Sequence, residues 1–355
     1  MISYILENKR SLRKVENELR ALDANEALVE IYNVCLCGSD YKLYNGTYSG
    51  PVNYPLILGH EWSGKIIDIK SERKDLSVGM NVTGDCSNWG NDCDYLSSCF
   101  YNKNTCPSIQ KFGITRNGAL CEYAIMPVHN LYGARDDMPL DLLALSELFS
   151  VALNAIKKSD LELKMSKLCK RSDQSSNILI VGLGAVGLAI YLLLKYMFSM
   201  EHVFIYDSSK ERVSFIQSIY PDINILDSLD SDENSNNYVN ILKPTPYSII
   251  FEATGSPTVI NTAINLINPN GTIVLVGMYP VTEYNIKDIV LKSLILTGSI
   301  GGTGSFPEVI DFLYNNQEIG KKFITHYAEF NDELYQLFED PSMRFIKKNI
   351  VLHRD

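Results

Sequence analysis

Two short segments near the N-terminus carry residue types that bind transition metals. Cys37-Gly38-Ser39-Asp40 offers a thiolate, and Gly59-His60-Glu61 offers an imidazole and a carboxylate. Zn²⁺ accepts sulfur, nitrogen and oxygen donors, and a catalytic zinc keeps one position for water or substrate. The segments therefore predict a catalytic zinc site. Two alternatives are that Cys37 is only a small buried side chain and that His60 is a hydrogen-bonded core histidine. His60-Glu61 does not begin a His-Glu-x-x-His protease motif, because residue 64 is Gly.

A second chemical signal is the stretch Gly182-Leu183-Gly184-Ala185-Val186-Gly187, with an apolar run on either side. This pattern predicts a buried strand, a glycine turn and a helix that begins at the turn. Gly182 permits the tight turn, Gly184 lets the backbone approach a pyrophosphate, and Gly187 lets helix and strand pack closely. The N–H groups of the first helical turn, which includes Ala185 and Val186, would then face the phosphates. An ordinary glycine turn in an α/β protein is the alternative.

The acidic residue that completes this fingerprint is Asp207, twenty residues after Gly187 and at the end of a second apolar run. A carboxylate there accepts hydrogen bonds from the hydroxyls of an adenosine ribose and repels a 2′-phosphate, so NAD is predicted rather than NADP. Lys210 and Arg212 lie near the expected adenosine pocket and leave some tolerance of NADP open.

The spacing of apolar residues along the sequence predicts the strands and helices that position these residues. Residues 27–34 alternate in the manner of a β-strand and begin a β-rich domain. Strands alternate with helices from residue 178 to residue 298, which is typical of a parallel sheet covered by helices. Between these regions, residues 140–158 form a helical stretch that carries Glu147 among leucine and phenylalanine side chains. A carboxylate in such surroundings is too costly to bury unpaired, which indicates a nearby cation.

Composition narrows the functional class. The chain has 355 residues, 46% of them hydrophobic and 21% charged, and fits two domains that each have a core. Its formal charge of −10 argues against nucleic acid or an anionic membrane as a partner. We find neither a secretory signal nor an apolar stretch long enough to span a bilayer, which predicts a cytoplasmic protein. Five of the eight cysteines lie between Cys86 and Cys121, where metal binding or burial is expected rather than a disulfide framework.

The order of these motifs resembles the zinc-containing medium-chain dehydrogenase/reductase family, especially its polyol, sorbitol and threonine dehydrogenase branch. The resemblance continues through Phe251-Glu252-Ala253-Thr254-Gly255, the segment Gly271 to Gly277, and Ile324-Thr325-His326. It implies an α/β fold in which a Rossmann dinucleotide-binding domain, residues 151–301, is inserted into a β-rich GroES-like catalytic domain, residues 1–150 and 302–355. It also implies a homodimer or homotetramer.

The resemblance further implies roles for individual residues. Cys37 and His60 match the two constant ligands of the catalytic zinc, and Glu61 and Glu147 match the carboxylates that bind the metal or hold its water. Ser39 matches the hydroxyl that relays the alcohol proton. In the other domain, the residues matching the cofactor site are Gly182, Gly184, Ala185, Val186, Gly187, Asp207, Arg212, Thr254 and Gly277.

The reaction implied is the oxidation of a secondary alcohol to a ketone by hydride transfer to NAD. A polyol, sugar or sugar phosphate is the favoured substrate class, while threonine and simple secondary alcohols remain open. A zinc-free quinone or enone reductase, or a non-enzymatic nucleotide-binding member of the superfamily, is the alternative. The presence of a full set of potential zinc ligands argues against both.

The chain departs from the family pattern at two places that affect the chemistry. Lys42 replaces a histidine that often continues the proton relay, so it could relay protons, bind an anionic substrate group or be a surface lysine. The cysteine-rich lobe has Leu96 where one ligand of a structural zinc is expected. A rearranged site of Cys86, Cys93, Cys99 and Cys106 could still hold this second zinc; the alternative is a degenerate lobe with free thiols.

Overall fold

The computed structural model describes residues 1–89, 103–161, 177–229, 237–278, 283–302, 304–339 and 346–353. Cys93 and Cys99, two of the predicted ligands of a structural zinc, lie outside these ranges. The chain divides into two compact units, one formed by Met1–Ser150 with Gly301–Asp355 and the other by Val151–Ile300. No helix in the described ranges is long and apolar enough to cross a membrane.

The first unit is built mainly from strands. They are β1 (Ile2–Asn8), β2 (Ser11–Glu16), β3 (Glu26–Leu36), β4 (Leu56–Ile57), β5 (Glu61–Lys70), β6 (Asn81–Gly84), β7 (Ser87–Asn88), β8 (Gln110–Lys111), β9 (Tyr123–Pro127), β10 (Leu131–Gly133), β16 (Ile324–Glu329) and β17 (Lys347–Val351). Its helices are α1 (Gly38–Asn45), α2 (Leu140–Leu143), the start of α3 (Ser146–Lys158), α9 (Phe306–Asn315), α10 (Gln317–Phe323) and α11 (Leu334–Glu339).

Strand β3 is the centre of the main sheet of this unit, whose order is β10-β6-β5-β3-β17-β16 with β9 also paired to β3. Its alternate residues Ala27, Val29 and Ile31 are fully buried, as the predicted alternation requires. Cys35, near its end, lies opposite Glu61 of β5 on one side and Asn349 of β17 on the other. The end of β3 is therefore where these three strands bring their polar residues together.

The second unit contains a five-stranded parallel sheet with the order β12-β11-β13-β14-β15. Its elements are β11 (Asn177–Val181), α4 (Ala185–Tyr196), β12 (Val203–Tyr206), α5 (Lys210–Ile219), α6 (Tyr238–Ile241), β13 (Tyr247–Glu252), α7 (Val259–Leu266), β14 (Ile267–Leu275), α8 (Ile286–Leu291) and β15 (Ile295–Gly298). Residues 178–181 of β11 and 249–251 of β13 are apolar and buried, as expected for a parallel sheet that helices cover on both faces. The loops that follow β11, β12 and β13 meet at the carboxyl edge of the sheet, where ligands bind in such folds.

Candidate active site

The structure brings three of the predicted metal ligands together. Cys37 follows β3 and precedes helix α1, while His60 and Glu61 lie where β5 begins. The Cys35–Glu61 register between β3 and β5 makes these two strand ends neighbours. As a result, one ligand atom from each of Cys37, His60 and Glu61 lies within 4.8 Å of the other two.

This donor set fits a zinc ion. Zinc bonds of about 2.0–2.3 Å in a tetrahedron separate the ligand atoms by roughly 3.3–3.8 Å, a spacing that small rotamer changes would reach from the observed one. Sulfur, nitrogen and oxygen donors are those that zinc prefers, and three protein ligands leave a position for substrate. Cys37, His60 and Glu61 are the residues that would hold the metal.

Asp40 lies beside the His60 ring, a neighbour that the sequence analysis did not assign. Its carboxylate accepts hydrogen bonds from the backbone N–H of Cys37 (2.8 Å) and of Gly59 (3.4 Å) and is fully buried. Oδ1 of Asp40 lies 3.5 Å from Nδ1 of His60, which leaves Nε2 for the metal side. Burial alone would lower the pKa of His60, but Asp40 and the nearby Cys37 raise it well above its usual value. The signal was present in the sequence, since Asp40 belongs to the same four-residue motif as the ligand cysteine.

Ser39 lies at the other nitrogen of the same ring. Its Oγ is 3.2 Å from Nε2 of His60, and its side chain is half-buried on the first turn of α1. A hydroxyl in this position reaches both the metal set and solvent. The placement agrees with the proton relay that the family resemblance implies.

Glu61 has a second partner that the sequence analysis missed. Nζ of Lys347, from β17, lies 2.8 Å from Oε1 and 2.6 Å from Oε2 of Glu61, and it also donates to the carbonyl oxygen of Leu36 (3.2 Å). Both charged side chains are almost completely buried, at 2% and 0% exposure. The carboxylate raises the pKa of Lys347 against the opposing effect of burial, so the lysine stays charged. No local pattern marks this pair, because 286 residues separate its members.

Glu147 lies on the first turn of α3 and contacts Cys86. The Cys86 thiol donates to Oε1 of Glu147 at 3.3 Å, and both residues are buried. Burial raises the pKa of Glu147 to about 7; the charge of His60 opposes this shift and that of Glu61 adds to it. Glu147 is thus electrostatically coupled to the metal set, although it is not one of the three clustered ligands.

Lys42 and Cys106, to which the sequence analysis also gave roles, lie in different surroundings. Lys42 is exposed on α1, and none of the described contacts joins its side chain to Cys37 or His60, so its role in a relay stays a prediction. Cys106 is buried, and its Sγ lies 3.1 Å from Oγ of Ser108. Cys93 and Cys99 lie outside the described residues, so a structural zinc held by Cys86, Cys93, Cys99 and Cys106 stays a prediction, although Cys86 contacts Glu147 instead of another cysteine.

The second unit contains a cavity of about 600 Å³ at the carboxyl edge of its sheet. Five of the residues predicted to bind the cofactor line it, namely Gly182, Gly184, Asp207, Arg212 and Thr254. The twelve-residue helix α4 begins beside it, with Ala185 and Val186 half-buried in the first turn. The N–H groups of this turn and its positive dipole end provide a site for phosphate groups.

The glycines of this turn have distinct surroundings. Gly182 has a φ of +110°, a conformation that favours glycine, and a Cβ on Gly187 would lie 1.8 Å from the carbonyl oxygen of Gly182. A Cβ on Gly184 would meet no atom within 4 Å, so the backbone there is open to the close approach of a ligand, as dinucleotide binding requires. Gly277 lies outside the cavity lining and packs closely against Gly255.

Asp207 is held in place by three donors. Its Oδ1 accepts from the N–H of Ser209 (2.8 Å), and its Oδ2 accepts from the N–H of Leu183 (2.9 Å) and from Nη1 of Arg212 (3.0 Å). A carboxylate accepts about four hydrogen bonds, so roughly one position remains for a ligand hydroxyl. The pairing with Arg212 also neutralises part of the negative charge at this end of the cavity.

Each of the two units matches a known protein family. Residues 23–136 match the alcohol dehydrogenase GroES-like domain, and residues 185–315 match the zinc-binding dehydrogenase domain. Over 343 residues, 96% of each chain, the sequence is 25% identical to starvation-sensing protein RspB of Escherichia coli strain K12. Over 281 residues, 78% of this chain and 75% of the other, it is 24% identical to D-arabitol-phosphate dehydrogenase of Enterococcus avium.

The fold is also that of solved dehydrogenase structures. The structure of an alcohol dehydrogenase (rspB) from E. coli CFT073 in complex with NADH covers 99% of both chains with a TM-score of 0.83 at 24% identity. The predicted fold class, a GroES-like domain with a Rossmann domain, is therefore confirmed. The motifs, the cluster of Cys37, His60 and Glu61 and these matches together show that the chain belongs to the zinc-containing medium-chain alcohol dehydrogenase family.

Proposed function

We propose that this protein oxidises a secondary alcohol of a polyol, sugar or sugar phosphate to a ketone, with NAD as the hydride acceptor. The reaction is reversible, and NADH reduces the ketone in the reverse direction. The observation that carries the proposal is the cluster of Cys37, His60 and Glu61, with the Ser39 hydroxyl 3.2 Å from the histidine ring. A zinc-free reductase has no use for this arrangement.

Within the catalytic unit, each residue has a defined task. Cys37, His60 and Glu61 would hold the zinc, and a bound zinc would lower the pKa of an alcohol as it does that of water. Asp40 keeps the His60 ring oriented. Ser39 accepts the alcohol proton at Oγ and passes one on to solvent, since its side chain is only half-buried. Lys42 is exposed and is not needed for this relay.

The proposed preference for NAD rests on Asp207. A ribose 2′-hydroxyl can donate to the remaining acceptor position of this carboxylate, whereas a 2′-phosphate would meet a negative charge. Arg212 reduces that repulsion, so we expect discrimination against NADP to be incomplete. Asp207→Asn keeps the size of the side chain but removes its charge, and it should lower kcat/KM for NAD while raising it for NADP. Unchanged kinetics with both cofactors would show that another residue binds the ribose.

The substrate class is tested with a panel of alcohols. Zinc-loaded protein is incubated with NAD and with polyols, polyol phosphates, L-threonine or simple secondary alcohols, and NADH formation is followed by absorbance. We expect turnover of a polyol or its phosphate, in keeping with the similarity to D-arabitol-phosphate dehydrogenase. Chelation and Cys37→Ser should abolish it. Reduction of quinones by zinc-free protein, without alcohol oxidation, would support the alternative class instead.

A homodimer or homotetramer is part of the proposal. Strand β15 is the edge of the parallel sheet among the described strands, and its Ile295 is 50% exposed. Ile286 and Val290, one turn apart on α8, are 63% and 68% exposed. An unpaired edge strand with apolar neighbours favours pairing with a second copy. Sedimentation should give a mass above one chain, and Val290→Glu with Ile295→Lys should lower it; a monomeric wild-type protein would refute this part.

A further inference from the structure

We propose that Cys86 is a positioning residue of the catalytic metal site and that its thiol holds the Glu147 carboxylate in the orientation required for binding the metal or its water. This role deepens the proposed function, on which it depends for the identity of the reaction. The donor–acceptor distance is 3.3 Å, and Cys86 and Glu147 are only 4% and 5% exposed. The hydrogen bond is therefore shielded from solvent.

The backbone on both sides of Cys86 is held rigidly. The Nδ2 group of Asn130 donates to the carbonyl oxygens of Asp85 (2.8 Å) and Ser87 (2.9 Å), and the N–H of Asp85 donates to the carbonyl oxygen of Asn130 (2.9 Å). The carbonyl oxygen of Cys86 itself accepts from the N–H of Phe112 (2.9 Å). These bonds pin three consecutive residues, so the direction of the Cys86 side chain is set by the loop. The thiol is in this sense preorganised for its acceptor.

The backbone of Glu147 is also held in place. It lies on the first turn of α3, and Ser150 Oγ donates to its carbonyl oxygen at 2.7 Å. Its Oε2 accepts no hydrogen bond from the described residues. A thiol on Oε1 thus leaves Oε2 as the oxygen available for the metal or its water.

Glu61 and Glu147 have different partners, and this difference supports the proposed positioning role of Cys86. Glu61 is neutralised by the ammonium of Lys347, whereas no lysine or arginine among the described residues forms an ion pair with Glu147. A thiol is a weak and uncharged donor, so it orients a carboxylate without cancelling its charge. Among the described residues, the Glu147 carboxylate thus has no lysine or arginine partner and stays available to a metal, while Cys86 fixes the direction of the carboxylate.

The test compares Cys86→Ala, Cys86→Ser and Cys121→Ala. Cys121 is a matched control because it is also buried and free, but its thiol donates to the backbone carbonyl oxygens of Gly118 and Tyr123 and not to a carboxylate among the described residues. Zinc stoichiometry, zinc affinity by chelator competition and the visible spectrum of the Co²⁺-substituted protein are measured without substrate. These readouts therefore remain informative even if the proposed alcohol oxidation is wrong.

We expect Cys86→Ala to weaken zinc binding about 10- to 100-fold, as the loss of an outer-shell partner typically does, and to shift the Co²⁺ d–d bands. Cys86→Ser, which keeps a donor, should recover most of the affinity, and Cys121→Ala should resemble the wild type. In a Glu147→Gln background, Cys86→Ala should have no further effect on affinity. This dependence on Glu147 separates positioning from a general loss of packing.

Three results would overturn the role. One is an unchanged zinc affinity and Co²⁺ spectrum in Cys86→Ala. Another is the loss of one zinc ion per chain from a wild-type content of two, with the Co²⁺ spectrum of the remaining site intact, which would make Cys86 a ligand of the structural zinc. The third is a weaker sulfur-to-cobalt charge-transfer band in Cys86→Ser, which would make the thiol a direct ligand. If Cys86→Ala does not fold, Cys86→Val, which removes the donor but fills the space, replaces it in each of these comparisons.

Discussion

The buried pair of Lys347 and Glu61 provides the sharpest test of how this site is stabilised. Lys347→Met removes the ammonium but keeps a flexible apolar side chain of similar length. Glu61, which is completely buried, then has no lysine or arginine partner among the described residues of the zinc-free protein. Breaking a buried ion pair in this way costs about 3–5 kcal/mol, because an uncompensated charge stays in a poorly solvated interior. The hydrogen bond to Leu36 is lost in the same substitution and is included in that figure.

The double variant Lys347→Met with Glu61→Leu isolates the charge effect. Replacing both members of a buried pair by apolar residues is often neutral or stabilising. We therefore expect the zinc-free double variant to recover most of the stability that Lys347→Met loses. The assay is the free energy of unfolding from guanidinium titration of metal-free protein. Lys348→Met is the matched control, since Lys348 is equally buried but donates to the carbonyl oxygen of Leu337 and not to Glu61.

The Lys347–Glu61 pair also predicts how much stability the protein gains when zinc binds. In Lys347→Met, a zinc ion is the remaining cation that can balance the Glu61 charge, so added zinc should restore more stability to this variant than to the wild type. A double variant whose loss equals the sum of the two single losses would refute the reasoning. So would a zinc effect of equal size in Lys347→Met and Lys348→Met. Either result would mean that the two charges do not interact strongly.

Three further predictions concern the glycine turn, the buried glutamate and the relay hydroxyl. Gly187→Ala places a Cβ against the backbone of Gly182 and should destabilise the fold by about 1–3 kcal/mol or more, whereas Gly184→Ala should leave the unfolding free energy unchanged and weaken NADH binding in a fluorescence titration. The raised pKa of Glu147, about 7, means that the folded zinc-free protein binds a proton that the unfolded chain has released, so stability should fall by about 3 kcal/mol as pH rises from 4 to 8. Glu147→Gln should remove that part of the pH dependence in parallel denaturation curves, and identical slopes would contradict it. Ser39→Ala should lower kcat about 100-fold at unchanged zinc content, with Ser39→Thr retaining activity.

The chemistry-bearing motifs could be predicted because each is local. The fingerprint from Gly182 to Gly187 predicts a strand, a turn and a helix, since the glycines are required by backbone geometry within six residues. Cys37 and His60 could be named as ligands because their motifs contain donor types that zinc prefers and the family resemblance placed them. Asp40 could have been assigned as well, as it stands in the same motif as Cys37.

The partners of the buried carboxylates could not be predicted, because sheet register and loop anchoring decide them. Lys347 reaches Glu61 only because β3 lies between β5 and β17 in the sheet. The sequence patterns of β5 and β17 do not predict that strand order. Cys86 was grouped with the other cysteines of its region by proximity along the chain, yet the bonds of Asn130 and Phe112 to its loop direct its thiol to Glu147. Residue type and short-range spacing thus determined which atoms could bind zinc and nucleotide, whereas the charge balance and orientation of those atoms depended on long-range contacts that exist only in the folded chain.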